Sequence, residues 1–137
     1  MKTFEQFPHT ADVGIKVWGD TLPLFFEHAA EGMFSFLQLS GEGEKSLSQT
    51  VQVTGIDAES LLVNWLNELL YISGERRIAP VRFTVERISS RELCATVQGS
   101  VLKAGTHALR EIKAATYSSL AIRHTDEGFY TEIVFDV

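Results

Sequence analysis

Residues 13–37, VGIKVWGDTLPLFFEHAAEGMFSFL, change their hydrophobic period part-way along, and that change decides the fold class. Val13, Ile15 and Val17 alternate with Gly14, Lys16 and Trp18, the period of two that sends successive side chains to opposite faces of a strand. Gly19-Asp20 breaks the alternation. Asp20 or Thr21 can cap the free amides of the next element, and Pro23 is tolerated in its first turn. Leu22, Phe25, Phe26, Ala29, Ala30, Met33, Phe34 and Leu37 then fall on the i, i+3, i+4, i+7 stripe of an amphipathic helix. Gly32 costs that helix roughly 1 kcal/mol relative to alanine, and it sits where close backbone packing can offset the loss.

The same reasoning extends towards the C-terminus. Residues 39–48, rich in glycine and charge and without a period, read as a surface loop. Val51 and Val53 mark a short strand. Asp57 is the natural N-cap of a second helix, whose stripe is Leu61, Leu62, Trp65, Leu66, Leu69 and Leu70, with Gly74 as its stop. Pro80 opens a strand with Val81, Phe83 and Val85 inward and Arg82, Thr84 and Glu86 outward. After a turn at Ser89-Ser90-Arg91, Leu93, Ala95, Val97 and Val101 continue the alternation, so residues 81–103 read as an antiparallel hairpin. Residues 103–110 read as a loop. Residues 111–117, EIKAATY, carry both helix and strand signals and are taken as a strand with a local irregularity. A turn over residues 125–128 leads to a last strand with Phe129, Ile133 and Phe135 on one face and Tyr130, Glu132 and Val134 on the other, Asp136 sharing the Glu132 face. The sum is an α+β fold: two main helices packed on a mixed or antiparallel sheet of about six strands, in a single domain spanning residues 1–137.

Composition narrows the function classes. A chain of 137 residues, 45% hydrophobic and 22% charged, is long enough for one continuous core. Its single cysteine, Cys94, cannot form an internal disulfide and fits a reducing, cytoplasmic compartment. The opening MKTFEQFPHTAD has no apolar signal core, and no run reaches the ~20 apolar residues of a membrane span. The net charge of -6 and the lack of a basic stripe argue against strong direct binding to nucleic acid, so a nucleic-acid role would pass through a basic protein partner.

The chemistry-bearing residues gather at the two ends of the chain. Asp12 lies in the turn His9-Thr10-Ala11-Asp12 at the mouth of the first strand, and by parity shares the Lys16 face; Asp136 and Val137 close the last strand. If these strands are neighbours, two side-chain carboxylates and the main-chain carboxylate of Val137 converge. An all-oxygen cluster suits a hard divalent cation: calcium where coordination is high, magnesium where it is compact and octahedral. Otherwise both are solvated aspartates. His9 offers a nitrogen ligand or a second-shell donor, but a histidine before threonine in a strand-entry turn more often hydrogen-bonds the backbone, and that reading is preferred. Lys113 matters if it approaches the carboxylates and is otherwise an exposed lysine. Asp57 and Glu59 have ligand chemistry, but capping accounts for Asp57; His107 and His124 lack paired spacing. Phosphate-binding loops, paired-cysteine zinc patterns, HExxH and GxSxG are absent from the sequence.

HTADVGI, GDTLPLFFEHAAEGMF, the DAESLLVNWLNELLY helix, EIKAATYSSLAI and the closing IVFDV, in this order and over nearly the whole chain, resemble the archease family. The resemblance implies a small α+β protein that assists the GTP-dependent RNA ligase of tRNA splicing and RNA repair. That ligase forms a covalent guanylate on its own histidine; archease promotes this activation and permits multiple turnover. The implied metal site, with calcium first and magnesium or manganese as alternatives, falls on Asp12, Asp136 and Val137, and a functionally required lysine falls on Lys113. Ser118 stands where many members carry histidine and receives no ligand role. The stretch 103–107 matches poorly, which leaves His107 unassigned.

The expected function is therefore a non-enzymatic, metal-binding activator of the RNA ligase, involved in tRNA processing, with the ligase as partner and no membrane association. Two other classes remain open: a general, chaperone-like scaffold, suggested by an acidic chain without catalytic signatures, and a small metal-dependent hydrolase using the same carboxylates.

Overall fold

The structure, a computed structural model, describes residues 2–9, 12–37, 46–102, 111–117 and 120–137, and of Pro8, His9 and Asp12 the backbone only. Ten elements follow one another: β1 (Phe4–His9), β2 (Asp12–Gly19), α1 (Leu22–Leu37), β3 (Ser46–Thr54), α2 (Ala58–Arg76), β4 (Ile78–Ile88), β5 (Glu92–Val101), β6 (Ala114–Ala115), β7 (Arg123–Thr125) and β8 (Gly128–Asp136). They form a five-stranded sheet in the order β1-β2-β8-β6, with β7 also on β8, and a three-stranded sheet in the order β3-β5-β4. Every pairing is antiparallel. The expected α+β class holds, but eight strands in two sheets replace about six strands in one.

The extra strands lack the signal by which strands are read. In β1, FEQFPH, the aromatic residues Phe4 and Phe7 stand three apart and Pro8 interrupts, so no period of two exists. Pairing comes instead from backbone register with β2, from Phe4↔Val17 to His9↔Asp12. The Phe7 ring lies over Gly14, where an added Cβ would come within 2.4 Å of it. β7 has only three residues, too short to show any period, and the strand expected over residues 111–117 forms only at Ala114–Ala115.

Other boundaries move for equally local reasons. β3 starts at Ser46, well before Val51, because its first half pairs with β5 through backbone while its side chains are largely exposed. β4 begins at Ile78 rather than Pro80, and a register shift between Pro80 and Arg82 turns Val81 outward, 75% exposed, against the expected inward position. Val134 is buried on the face expected to be outer; its partner across the sheet is Gly14, the residue that Phe7 covers. Gly74 does not stop α2. The helix runs on to Arg76 and closes on Arg77 in the left-handed conformation, φ 55°, whose N–H donates to the Ser73 carbonyl. Its start is as expected, with Asp57 Oδ1 accepting from the Ser60 N–H at 2.7 Å and Ser60 Oγ accepting from the Asp57 N–H at 3.1 Å.

One hydrophobic cluster contains residues of both helices and both sheets. The stripe of α1 buries Phe25, Phe26, Ala29, Ala30, Met33, Phe34 and Leu37. Phe34 stacks on Phe83 of β4 at 5.6 Å, Phe36 meets Phe135 of β8 edge-on at 6.0 Å, and Trp65 of α2 approaches the same Phe83 ring at 6.4 Å. Burying each such side chain contributes about 1.5–3 kcal/mol. The Trp65 indole N–H donates to the Phe26 carbonyl at 3.0 Å, so its one polar atom is satisfied inside the core. Gly32 fulfils its expected role: a Cβ there would stand 2.8 Å from Ile15 and 3.0 Å from Phe4, so α1 sits close against β1 and β2. Among the described residues no helix is long and apolar enough to cross a membrane.

Candidate functional site at the end of the five-stranded sheet

β8 has neighbours on both flanks. On one side it pairs with β2 in a register that runs from Gly19↔Phe129 to Val13↔Phe135. The next residue along each strand is Asp12 and Asp136. On the other flank β6 pairs Ala114 with Asp136 and Ala115 with Phe135. Lys113 extends this contact by donating its backbone N–H to the Asp136 carbonyl at 2.8 Å. The backbone therefore carries Asp12 on β2, Asp136 on β8 and Lys113 just before β6 at one end of one sheet, with Asp136 in the middle.

His9 is the register partner of Asp12. Of the expected turn His9-Thr10-Ala11-Asp12, Thr10 and Ala11 lie outside the described residues, as do His107 and Ser118. Asp136 and Lys113 are exposed, and Val137 is 38% exposed. Carboxylate and main-chain oxygens are hard donors, the set that calcium or magnesium prefers over softer metals. Among the described residues no group of three or more His, Cys, Asp and Glu side chains could hold a metal ion.

Several residues that fix this end were not singled out from the sequence. Asn67 of α2, half-buried, accepts from the Ala115 N–H through Oδ1 at 2.8 Å and donates through Nδ2 to the Ala115 carbonyl at 3.5 Å. Thr116 uses both its N–H and its hydroxyl to donate to the Val134 carbonyl, each at 3.0 Å. Glu59, considered for its ligand chemistry, instead accepts the Ile122 N–H at 3.0 Å. These polar groups lie within or beside apolar stripes, and only tertiary register reveals what they hold. His124 lies flat on Phe129, with ring centroids 4.0 Å apart.

A cleft of about 340 Å³ lies elsewhere, on the three-stranded sheet, lined by residues that include Gln52, Arg87, Glu92 and Cys94. It shares no residue with the strand end. Tyr130, beside Trp18 at 5.3 Å between ring centroids, has its phenol pKa raised above the ordinary value, first by burial and then by the nearby Glu132 carboxylate.

Fold and site together define a small two-helix, two-sheet α+β protein that carries Asp12, Asp136 and Lys113 at neighbouring backbone positions on one end of a sheet. The chain belongs to the archease family: the family model described as Archease protein family (MTH1598/TM1083) matches residues 4–137. It is 36% identical to protein archease of Methanosarcina acetivorans, over 99% of this chain and 97% of the relative. It is 34% identical to that of Pyrococcus abyssi, over the full length of both. The solution structure of Methanobacterium thermoautotrophicum protein 1598 is similar at a TM-score of 0.83 and 33% identity, covering both chains fully. A crystal structure from Thermotoga maritima, described as an archease and possible chaperone, shares the fold at a TM-score of 0.70 and 20% identity over 97% of this chain and 96% of that one.

Proposed function

We propose that this protein is a non-enzymatic, cation-binding activator of a GTP-dependent RNA ligase, promoting the ligase's guanylylation and multiple turnover in tRNA splicing and RNA repair. The observation that carries the reading is the convergence of the Asp12, Asp136 and Lys113 strand positions on one sheet end, the residues for which the archease resemblance implies a function. Asp12, Asp136 and the Val137 main-chain carboxylate would hold the ion, with calcium first by the hardness of the donors; His9, across from Asp12, would support it. The bound divalent cation would offset two of the three negative charges that the Asp12, Asp136 and Val137 carboxylates bring together. Asp136 and Lys113 are exposed, which suits contact with a partner. The net charge of -6 suits a ligase surface made basic by the need to bind RNA. The protein's own residues act here by placing charge against the partner, and the chemistry of guanylylation belongs to the ligase.

The test is ligase guanylylation and turnover measured with the wild-type protein and with Asp12→Ala, Asp136→Ala and Lys113→Ala. Each folded variant is expected to lose most of the stimulation, and full stimulation by all three would sink the reading. The description of the Thermotoga maritima relative as a possible chaperone favours a second reading, a general chaperone. Suppression of aggregation in clients unrelated to the ligase, undiminished in Asp12→Ala, would support that reading instead.

A further inference from the structure

We propose that Asn67 of α2 is the positioning residue for the strand end, setting where Lys113 stands relative to Asp136. The inference rests on the functional reading above for what Lys113 does, and on geometry alone for how it is held. β6 is only Ala114–Ala115, and beyond the flanking bonds of Lys113 and Thr116 to β8 it has, among the described residues, no second strand to hold its other edge. The flank of β6 turned away from β8 faces α2. There the Asn67 amide presents an acceptor to the Ala115 N–H at 2.8 Å and a donor to the Ala115 carbonyl at 3.5 Å, the pair of bonds that a neighbouring strand would have made.

A helix side chain thus takes the place of the missing strand. Eight residues earlier on α2, Glu59 accepts the Ile122 N–H at 3.0 Å, so the same helix holds the segment at a second point beyond Thr116. Lys113 lies two residues from the Asn67 bonds and is itself tied to the Asp136 carbonyl. Asn67 has no contact with the proposed cation or partner in this account. It acts through the backbone of β6.

The experiment compares Asn67→Ala, Asn67→Asp and wild type by amide hydrogen exchange, then by ligase guanylylation in the Lys113 and Lys113→Ala backgrounds. In Asn67→Ala the Ala115 amide should exchange about tenfold faster, with Lys113 following, while amides in the three-stranded sheet keep their rates. Asn67→Asp keeps the acceptor that makes the short bond and should stay within roughly threefold of wild type. Stimulation of guanylylation should fall about tenfold in Asn67→Ala but less than about twofold further when Lys113 is already alanine, since residues acting through one another do not add. Unchanged exchange at Ala115 and Lys113 in the folded variant would overturn the proposal. So would an equal loss of stimulation in both backgrounds, which would leave Asn67 a residue of general stability. If Lys113→Ala alone leaves guanylylation intact, the functional reading falls, and the exchange rates still decide whether Asn67 holds the segment.

Discussion

Lys113 donates its backbone N–H to the carbonyl of Asp136 at 2.8 Å, and this bond ties the strand that carries the lysine to the strand that carries the aspartate. Because β2 holds the other flank of β8, the position of Asp12 is set by the same central strand. Backbone positions from three distant parts of the chain are thus brought side by side by strand pairing and one further backbone hydrogen bond.

If the strand end holds a divalent ion, Asp136→Asn and Asp12→Asn should each weaken it by roughly tenfold or more, since each replaces an anionic oxygen by a neutral one. Calcium titration by calorimetry, with terbium luminescence as a second probe, would check this. Equal affinity in both variants would remove the cation from the site.

Gly14→Ala should destabilise by about 1–3 kcal/mol, because the new methyl group would meet the Phe7 ring at 2.4 Å. Phe7→Ala in the same chain should recover part of that loss. Two separately additive losses in a denaturation cycle would show that the ring and the glycine are not in contact.

Asp57→Ala removes the side-chain half of the capping box and should cost about 1 kcal/mol in chemical denaturation. Cation affinity should not change, since the Asp57 side chain accepts from the Ser60 N–H at the start of α2, while Asn67 holds Ala115 from mid-helix.

Tyr130 gives a pH dependence whose sign follows from its raised pKa. The folded chain holds the phenolic proton more tightly than the unfolded chain, so this contribution to stability is whole below the ordinary value of 10.0 and is lost as pH rises beyond it. Tyr130→Phe should flatten the alkaline limb of the stability profile. An identical limb in the variant would show that Tyr130 does not contribute to it.

The elements legible in sequence were those whose period was enforced by one buried face. Both helices, the hairpin over residues 81–103 and the inward residues Ile15, Val17, Ile133 and Phe135 belong to this group. β1, β7 and the first half of β3 were not legible, because backbone pairing holds them and leaves no hydrophobic alternation to read. Val81 shows the limit within a correctly read strand, since a one-residue register shift sends a valine outward. For the candidate site, strand parity suggested that Asp12 and Asp136 belong together and the structure brings their strands side by side. Asn67 stayed hidden because an asparagine in a helix carries no sign of which distant backbone it will bond.

The central place of β8 also bears on the order in which the molecule can be built. Of the ten elements it leaves the ribosome last, yet β2, β6 and β7 all need it as a neighbour. The hairpin of β4 and β5 and both helices can form while the chain is still growing, whereas β2 must wait through more than a hundred residues of synthesis for its second partner. Lys113 and Asp136 meet only at that closing step. A nascent or truncated chain would therefore present its helices and its three-stranded sheet, but not the charged strand end.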